Sequence, residues 1–247
     1  EITQENRHLL AEVKYRARER GVLVKHVHLY ENKDKRWKLT CDACAKNGSC
    51  ISMKELTRAV SAGLERGMRP HRDERSIVSP QGGPVVFEED TCFHETHAVA
   101  RMVKDGGHVS GDNYSFLELD NGQMAMMLSD GMGSGSNACK ESELVLELLE
   151  KFLEAGFTEE TALKMMNSAM VIRGEDDLYS TVDICSLDLY QGRCELYKIG
   201  AAATFIKHQD FVERVESSSL PVGATHRMEI ATTKKQLADG DFLVMMS

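Results

Sequence analysis

Long apolar runs are missing from this 247-residue chain, and none approaches the roughly 18–20 consecutive residues that cross a bilayer. No N-terminal segment has the charged flank and apolar middle of a secretory signal. Positive charge is in deficit, with 30 Lys and Arg against 39 Asp and Glu, and the net charge of -9 argues against nonspecific nucleic-acid binding. Arg66, Arg69, Arg72 and Arg75 do gather locally, but Asp73 and Glu74 lie among them, which suits a solvated loop. The seven cysteines are odd in number and irregular in spacing, so they do not form a secreted disulfide framework, and a reducing compartment is expected. None is followed six positions later by arginine, which removes the local signature of a cysteine-based phosphatase. The chain opens at Glu1 and is read as the soluble part of a longer protein, with a membrane anchor elsewhere left open.

What is present is a succession of periodic segments. Leu9, Leu10, Val13 and Ala17 predict a helix over 3–19, ended by Gly21, and a strand follows over 22–30. A second helix is expected over 52–65 from Leu56, Ala59, Val60 and Leu64. Residues 67–84, with their glycines, prolines and charges, give no long periodic segment, and a domain boundary is placed between Gly82 and Phe93.

Beyond that boundary, strands are expected over 96–103, 109–119 and 123–129, the last two joined by a hairpin turn at Asp120-Asn121-Gly122. Helices follow over 138–153 and from Thr158, favoured at its start by Glu159 and Glu160. Strands return over 180–189, 194–199, 204–207, 228–233 and 242–246. This order lacks the steady strand–helix alternation of a doubly wound parallel sheet; helices covering antiparallel sheets fit better, an α+β fold.

The segments that carry chemistry are Ser110-Gly111-Asp112 and Ser129-Asp130-Gly131-Met132-Gly133-Ser134-Gly135. Asp112 opens one predicted strand and Asp130 closes its hairpin partner, so antiparallel pairing brings the two carboxylates together. Two such groups repel at close range unless a proton or cation intervenes, and a hard divalent ion with oxygen ligands is the natural solution. Gly131, lacking a Cβ, leaves room for its carbonyl to join them. Gly133 and Gly135 allow a tight exit into the helix, whose free N–H groups suit water or phosphate. Each motif alone reads equally well as a strand-end turn; the apolar strand before Asp130 and the glycines after it favour the metal reading. Other chemistries fit worse: serine stands where a dinucleotide fingerprint needs its third glycine, no P-loop lysine follows, and Ser134 is not the centre of a Gly-x-Ser-x-Gly elbow.

At these residues the sequence resembles the bacterial PPM family of metal-dependent serine/threonine phosphatases, in its sporulation branch. The similarity runs through Gly111-Asp112, Ser129 to Gly133 with Gly135 and Ala138, Tyr179 to Asp183, Lys198-Ile199-Gly200, Leu220 to Gly223 and Asp239-Gly240-Asp241. The resemblance implies a helix-covered antiparallel β-sandwich over 93–247, preceded by a small mixed helical regulatory region over 1–92 with a self-association role. It implies Mn²⁺ or Mg²⁺, two ions in the complete domain, with Asp112 and Asp130 as catalytic metal-binding aspartates, Asp130 bridging, and the Gly131 carbonyl as a further ligand. Further family aspartates fall beyond Ser247, so the domain is expected to be incomplete here. The implied substrate is a phosphorylated anti-anti-sigma factor controlling sporulation, and the implied location is the cytoplasmic face of the cell membrane, reached through segments outside this chain.

Other assignments stay open. Cys41, Cys44 and Cys50, with Cys92 and His94, are candidates for the four ligands of a structural zinc, or are simply reduced and packed. Asp183 either joins the acidic cluster or satisfies neighbouring groups, and Thr181 reads as a sheet residue. The helices over 3–19 and 52–65 are read as a switch acting on the Gly131–Gly135 loop. Alternatives to the phosphatase are a noncatalytic regulatory or dimerisation module on the same scaffold, and a phosphohydrolase of small molecules.

Overall fold

The structure is a computed structural model and describes residues 4–32, 35–46, 48–103, 109–119, 122–133, 135–173, 179–225 and 228–247. The chain divides into two compact units, 1–91 and 92–247.

In the first unit, α1 (Gln4–Glu19) and α2 (Met53–Leu64) accompany a sheet of β1 (Val22–Glu31), β2 (Trp37–Ala45), β4 (Met68–Pro70) and β6 (Gly83–Glu89) in the order β1-β2-β6-β4. Two short strands, β3 (Ile51–Ser52) and β5 (Ile77–Val78), pair beside it. The helices form where apolar residues recur at helical spacing: Val13 and Ala17 on α1 share a core with Leu56, Val60 and Leu64 on α2. They cross closely because α2 has a glycine at the contact; a Cβ on Gly63 would lie 2.7 Å from the Val13 backbone. Ser52 caps α2, its hydroxyl accepting the Lys54 N–H at 3.3 Å.

Two stretches that the sequence left without an element are strands. The cysteine stretch is strand β2, in which Leu39, Cys41, Ala43 and Ala45 are buried on one face. Cys44, three residues from Cys41, therefore points to the other face, and Cys50 is exposed. Burial, with Asp42 and Glu74 nearby, pushes the Cys41 thiol up to about 12, as suits a reduced, packed cysteine. Among the described residues no three His, Cys, Asp or Glu side chains converge as a metal-holding group. The second is β6, which lies inside the stretch where the domain boundary was placed, just before the division of the two units.

The second unit is a two-sheet sandwich. Its larger sheet has the order β13-β10-β9-β8-β7, every pair antiparallel, from β7 (Asp112–Leu119), β8 (Gln123–Gly131), β9 (Ser180–Asp188), β10 (Arg193–Ile199) and β13 (Ala231–Gln236). The smaller has the order β12-β11-β14, from β11 (Thr204–Lys207), β12 (Val212–Val215) and β14 (Phe242–Val244). Between β8 and β9 run α3 (Ser136–Glu154) and α4 (Glu159–Arg173).

Alternation along the strands makes both faces of the larger sheet apolar. Ala125, Met127, Val182, Ile184 and Ile199 meet Val145, Leu149, Leu163 and Met166 of the helices. Met124, Cys185, Leu187 and Leu196, on the opposite face, meet Ile206 and Val215 of the smaller sheet. The arrangement is a helix-covered antiparallel β-sandwich.

Residues 96–103 are not a strand. The segment meets β7 through side chains instead: Arg101 donates to the carbonyls of Ser110 and Asp112 at 2.9 and 2.6 Å, and the His97 ring stacks on Phe116 at 3.8 Å. The strand expected at 228–233 begins later, at Ala231. Strand β12 has no counterpart in the sequence reading. Of the hairpin turn, Asp120 and Asn121 lie outside the described residues; Gly122 has φ +73, and its N–H donates to the Leu119 carbonyl at 3.1 Å.

Candidate metal centre

The β7–β8 ladder sets Asp112 directly opposite Asp130, and the β8–β9 ladder sets Asp130 opposite Thr181. Three residues from three adjacent strands thus share one row at the end of the sheet. Ser110 orients the first carboxylate: its hydroxyl donates to Asp112 Oδ2 at 2.7 Å and accepts the Asp112 N–H at 3.3 Å. Asp130 is held through its backbone, its N–H donating to Thr181 Oγ1 at 3.2 Å. Burial pushes the Asp130 carboxyl up to about 6, and the neighbouring Asp112 adds to the rise by a hydrogen bond and by its charge. Water is partly excluded and two acidic groups face each other, which is the condition that favours a proton or a cation between them.

The glycines around the pair are required by close approach. A Cβ on Gly131 would lie 2.1 Å from the Ala138 carbonyl oxygen, so this glycine lets α3 lie against the end of β8. A Cβ on Gly111 would lie 2.9 Å from the Gly131 carbonyl oxygen. The expected reason for Gly131, room at its carbonyl, is thus joined by a stricter one on its other side. Gly133 and Gly135 have φ of +107 and +83, conformations in which other residues are strained, and α3 starts at Ser136 with no side-chain cap. Ser134 lies outside the described residues.

Several residues that shape the site were invisible as such in the sequence. The Asn113 amide donates to the Cys139 carbonyl and to Ser142 Oγ, both at 2.9 Å, and the Ser142 hydroxyl donates to the Gly111 carbonyl at 2.5 Å. These bonds fasten the first turns of α3 to the entry of β7. Ser142 stands between Glu141 and Glu143, where a serine reads as solvent-facing, yet it is fully buried. Asp183 is not with the acidic pair; it is buried against Lys198 and Thr204.

Asp112 and Asp130 supply hard oxygen donors, which fits a divalent cation of the Mg²⁺ or Mn²⁺ kind better than a soft metal. They stand as a pair: among the described residues, no third acidic, His or Cys side chain joins them.

Comparison with known proteins gives the same picture of the second unit. The family model for stage II sporulation protein E (SpoIIE) matches residues 120–247. The chain is 34% identical over 227 residues to stage II sporulation protein E of Bacillus subtilis strain 168, a match over 92% of this chain and 27% of that protein. It is 40% identical over 177 residues to the protein of the same name from Priestia megaterium, over 71% of this chain and 30% of that one. It therefore spans only about 27–30% of the length of these relatives. A solved structure of the PP2C phosphatase domain and a fragment of the regulatory domain of SpoIIE from Bacillus subtilis superposes with a TM-score of 0.65 at 32% identity, covering 99% of this chain and 71% of that one. With the sandwich, the helix pair and the acidic row all in place, the chain belongs to the stage II sporulation protein E family of PP2C-type, or PPM, phosphatases.

Proposed function

We propose that the complete protein is a metal-dependent phosphatase that removes phosphate from serine on a small regulatory protein. The observation that carries this reading is the in-register pairing of Asp112 with Asp130 at the end of the sheet. Both side chains, with the Gly131 carbonyl, would hold Mn²⁺ or Mg²⁺. The ion supplies positive charge and Lewis acidity, for activating water and stabilising the transferring phosphoryl group. The chain's own residues do the holding: Ser110 aims the Asp112 carboxylate, Thr181 fixes the Asp130 backbone, and Asn113 and Ser142 keep α3 in place behind them. No nucleophilic side chain is assigned, since direct attack by water needs none.

Family membership supports a role in sporulation and, as substrate, a phosphorylated anti-anti-sigma factor. It also supports the number of ions, two in the complete domain, and a regulatory and self-associating role for residues 1–92 beside a phosphatase domain over 93–247. Family membership is also the ground for attachment to the cytoplasmic face of the membrane through segments outside this chain; no described helix is long and apolar enough to cross a membrane. A noncatalytic regulatory or dimerisation module on the same scaffold is the second reading.

Hydrolysis of a phosphoserine protein by the full-length protein, with and without Mn²⁺ and beside Asp130→Asn, separates the two. Manganese-dependent turnover lost in the variant supports the phosphatase. Turnover without metal, or undiminished in the variant, overturns the two-carboxylate mechanism, and binding without turnover by a metal-loaded protein favours the module.

A further inference from the structure

A buried charged pair lies one row behind the two aspartates, on the same face of the larger sheet. Asp112, Asp130 and Thr181 form the first row; two residues along each strand, Tyr114, Leu128, Asp183 and Lys198 form the next across β7 to β10. Same-face neighbours in a strand are about 7 Å apart, so Asp183 stands one such step from Thr181, which holds the Asp130 N–H. Asp183 and Lys198 are each 1% exposed. The Lys198 ammonium donates to Asp183 Oδ2 at 2.5 Å and to Thr204 Oγ1 at 2.8 Å, and the Thr204 hydroxyl donates to the same Asp183 oxygen at 2.6 Å. Thr204 belongs to β11 of the smaller sheet, so the three residues pin one sheet to the other.

Lys198 also anchors a loop. Its carbonyl accepts the Ser219 hydroxyl at 3.2 Å, and the same hydroxyl accepts the Gly200 N–H at 3.1 Å. Further along that loop, the Val222 N–H donates to the Ser180 carbonyl at 2.8 Å, and Ser180 is the ladder partner of Gly131. Two routes thus lead from Lys198 to the end of β8: through Asp183 and Thr181 to Asp130, and through the loop and Ser180 to Gly131.

A fold does not need such a cluster for stability, because apolar residues of similar volume commonly do as well as a buried ion pair. Asp183 Oδ1 has no hydrogen-bond partner among the described residues, a cost that an apolar core would avoid. We propose that Lys198, Asp183 and Thr204 are positioning residues of the metal centre, fixing the separation of the two sheets behind Asp130 and so setting the affinity of the Asp112–Asp130 pair for a divalent cation. The proposal rests on the reading of those two aspartates as metal ligands.

The test uses the full-length protein. Thr204→Val keeps the side-chain shape and removes the hydroxyl, whereas Thr204→Ser keeps the hydroxyl. Mn²⁺ binding by titration calorimetry and the melting temperature without metal are measured for both, beside wild type and Asp130→Asn. Thr204→Val is expected to weaken Mn²⁺ binding about tenfold or more, and Thr204→Ser to restore it. A merely structural role would lower the metal-free melting temperature and leave affinity untouched; wild-type affinity in Thr204→Val overturns the proposal. Should that variant fail to fold, the apolar pair Lys198→Met with Asp183→Leu carries the same test, with loss of affinity expected and wild-type affinity overturning. Unchanged affinity in Thr204→Val with binding lost in Asp130→Asn refutes the positioning role alone. Unchanged binding in Asp130→Asn refutes the metal reading on which it stands.

Discussion

Gly131 lies so close to Ala138 that a Cβ on the glycine would come within 2.1 Å of the Ala138 carbonyl oxygen. The end of strand β8 and the first turn of α3 are therefore one packed unit, and the position of Asp130 depends on where that helix starts. Gly131→Ala must push the helix away or bend the strand. Overpacking of this kind costs about 1–3 kcal/mol, so the metal-free variant is expected to melt several degrees below wild type. Thermal unfolding followed by circular dichroism measures it, and an unchanged melting temperature would show that α3 yields without cost.

Asp130 gives a pH dependence whose sign is fixed. Its carboxyl is raised from 3.8 to about 6 in the folded chain, so between those values the folded state holds a proton that the unfolded state has released. Stability of the metal-free protein therefore falls as pH rises through that window, and the destabilisation is complete above it. Asp130→Asn removes the penalty. In urea titrations without metal, the variant should gain on wild type between pH 4 and pH 7 (about the limits of the window), and a divalent cation should stabilise wild type but not the variant. A constant difference between the two proteins across this range would contradict the assigned environment.

Ser142→Ala tests the fastening of α3. The hydroxyl donates to the Gly111 carbonyl and accepts from the Asn113 amide, and Ser142 is fully buried. Its removal leaves both partners short of a bond at a cost of about 1–3 kcal/mol. Chemical denaturation reads the loss, and a change within about 0.5 kcal/mol would show that the helix is held without this serine.

The Lys198–Asp183 pair predicts an asymmetry. Lys198→Met alone strands a carboxylate that burial already disfavours in its charged form, and should cost about 3–5 kcal/mol. Adding Asp183→Leu removes the stranded charge and should recover a large part of that loss. Denaturation of the two variants compares them directly; a double variant no more stable than the single one would mean that the pair is held by packing rather than charge.

The parts of the fold that sequence revealed are those where one local rule decided. A glycine-containing turn between two apolar strands specified the β7–β8 hairpin, and its register put Asp112 opposite Asp130. The helices followed from apolar spacing. Strand β2 was obscured because its inward positions are filled by Leu39, Cys41, Ala43 and Ala45, so that a cysteine spacing overlies a simple alternation. Residues 96–103 have strand-like composition, but they meet the start of β7 through the Arg101 guanidinium rather than through a ladder, a tertiary contact that no local pattern encodes. The burial of Lys198 and Ser142 was not legible because charge and polarity in a sequence carry no sign of a partner that arrives from another element.

Manganese binding to the full-length protein, observed by electron paramagnetic resonance with wild type beside Asp112→Asn and Asp130→Asn, tests the central claim most directly. The paired-carboxylate account predicts bound Mn²⁺ in wild type and its loss in each variant, with the metal-free variants still folded. Wild-type binding retained after either substitution would contradict it.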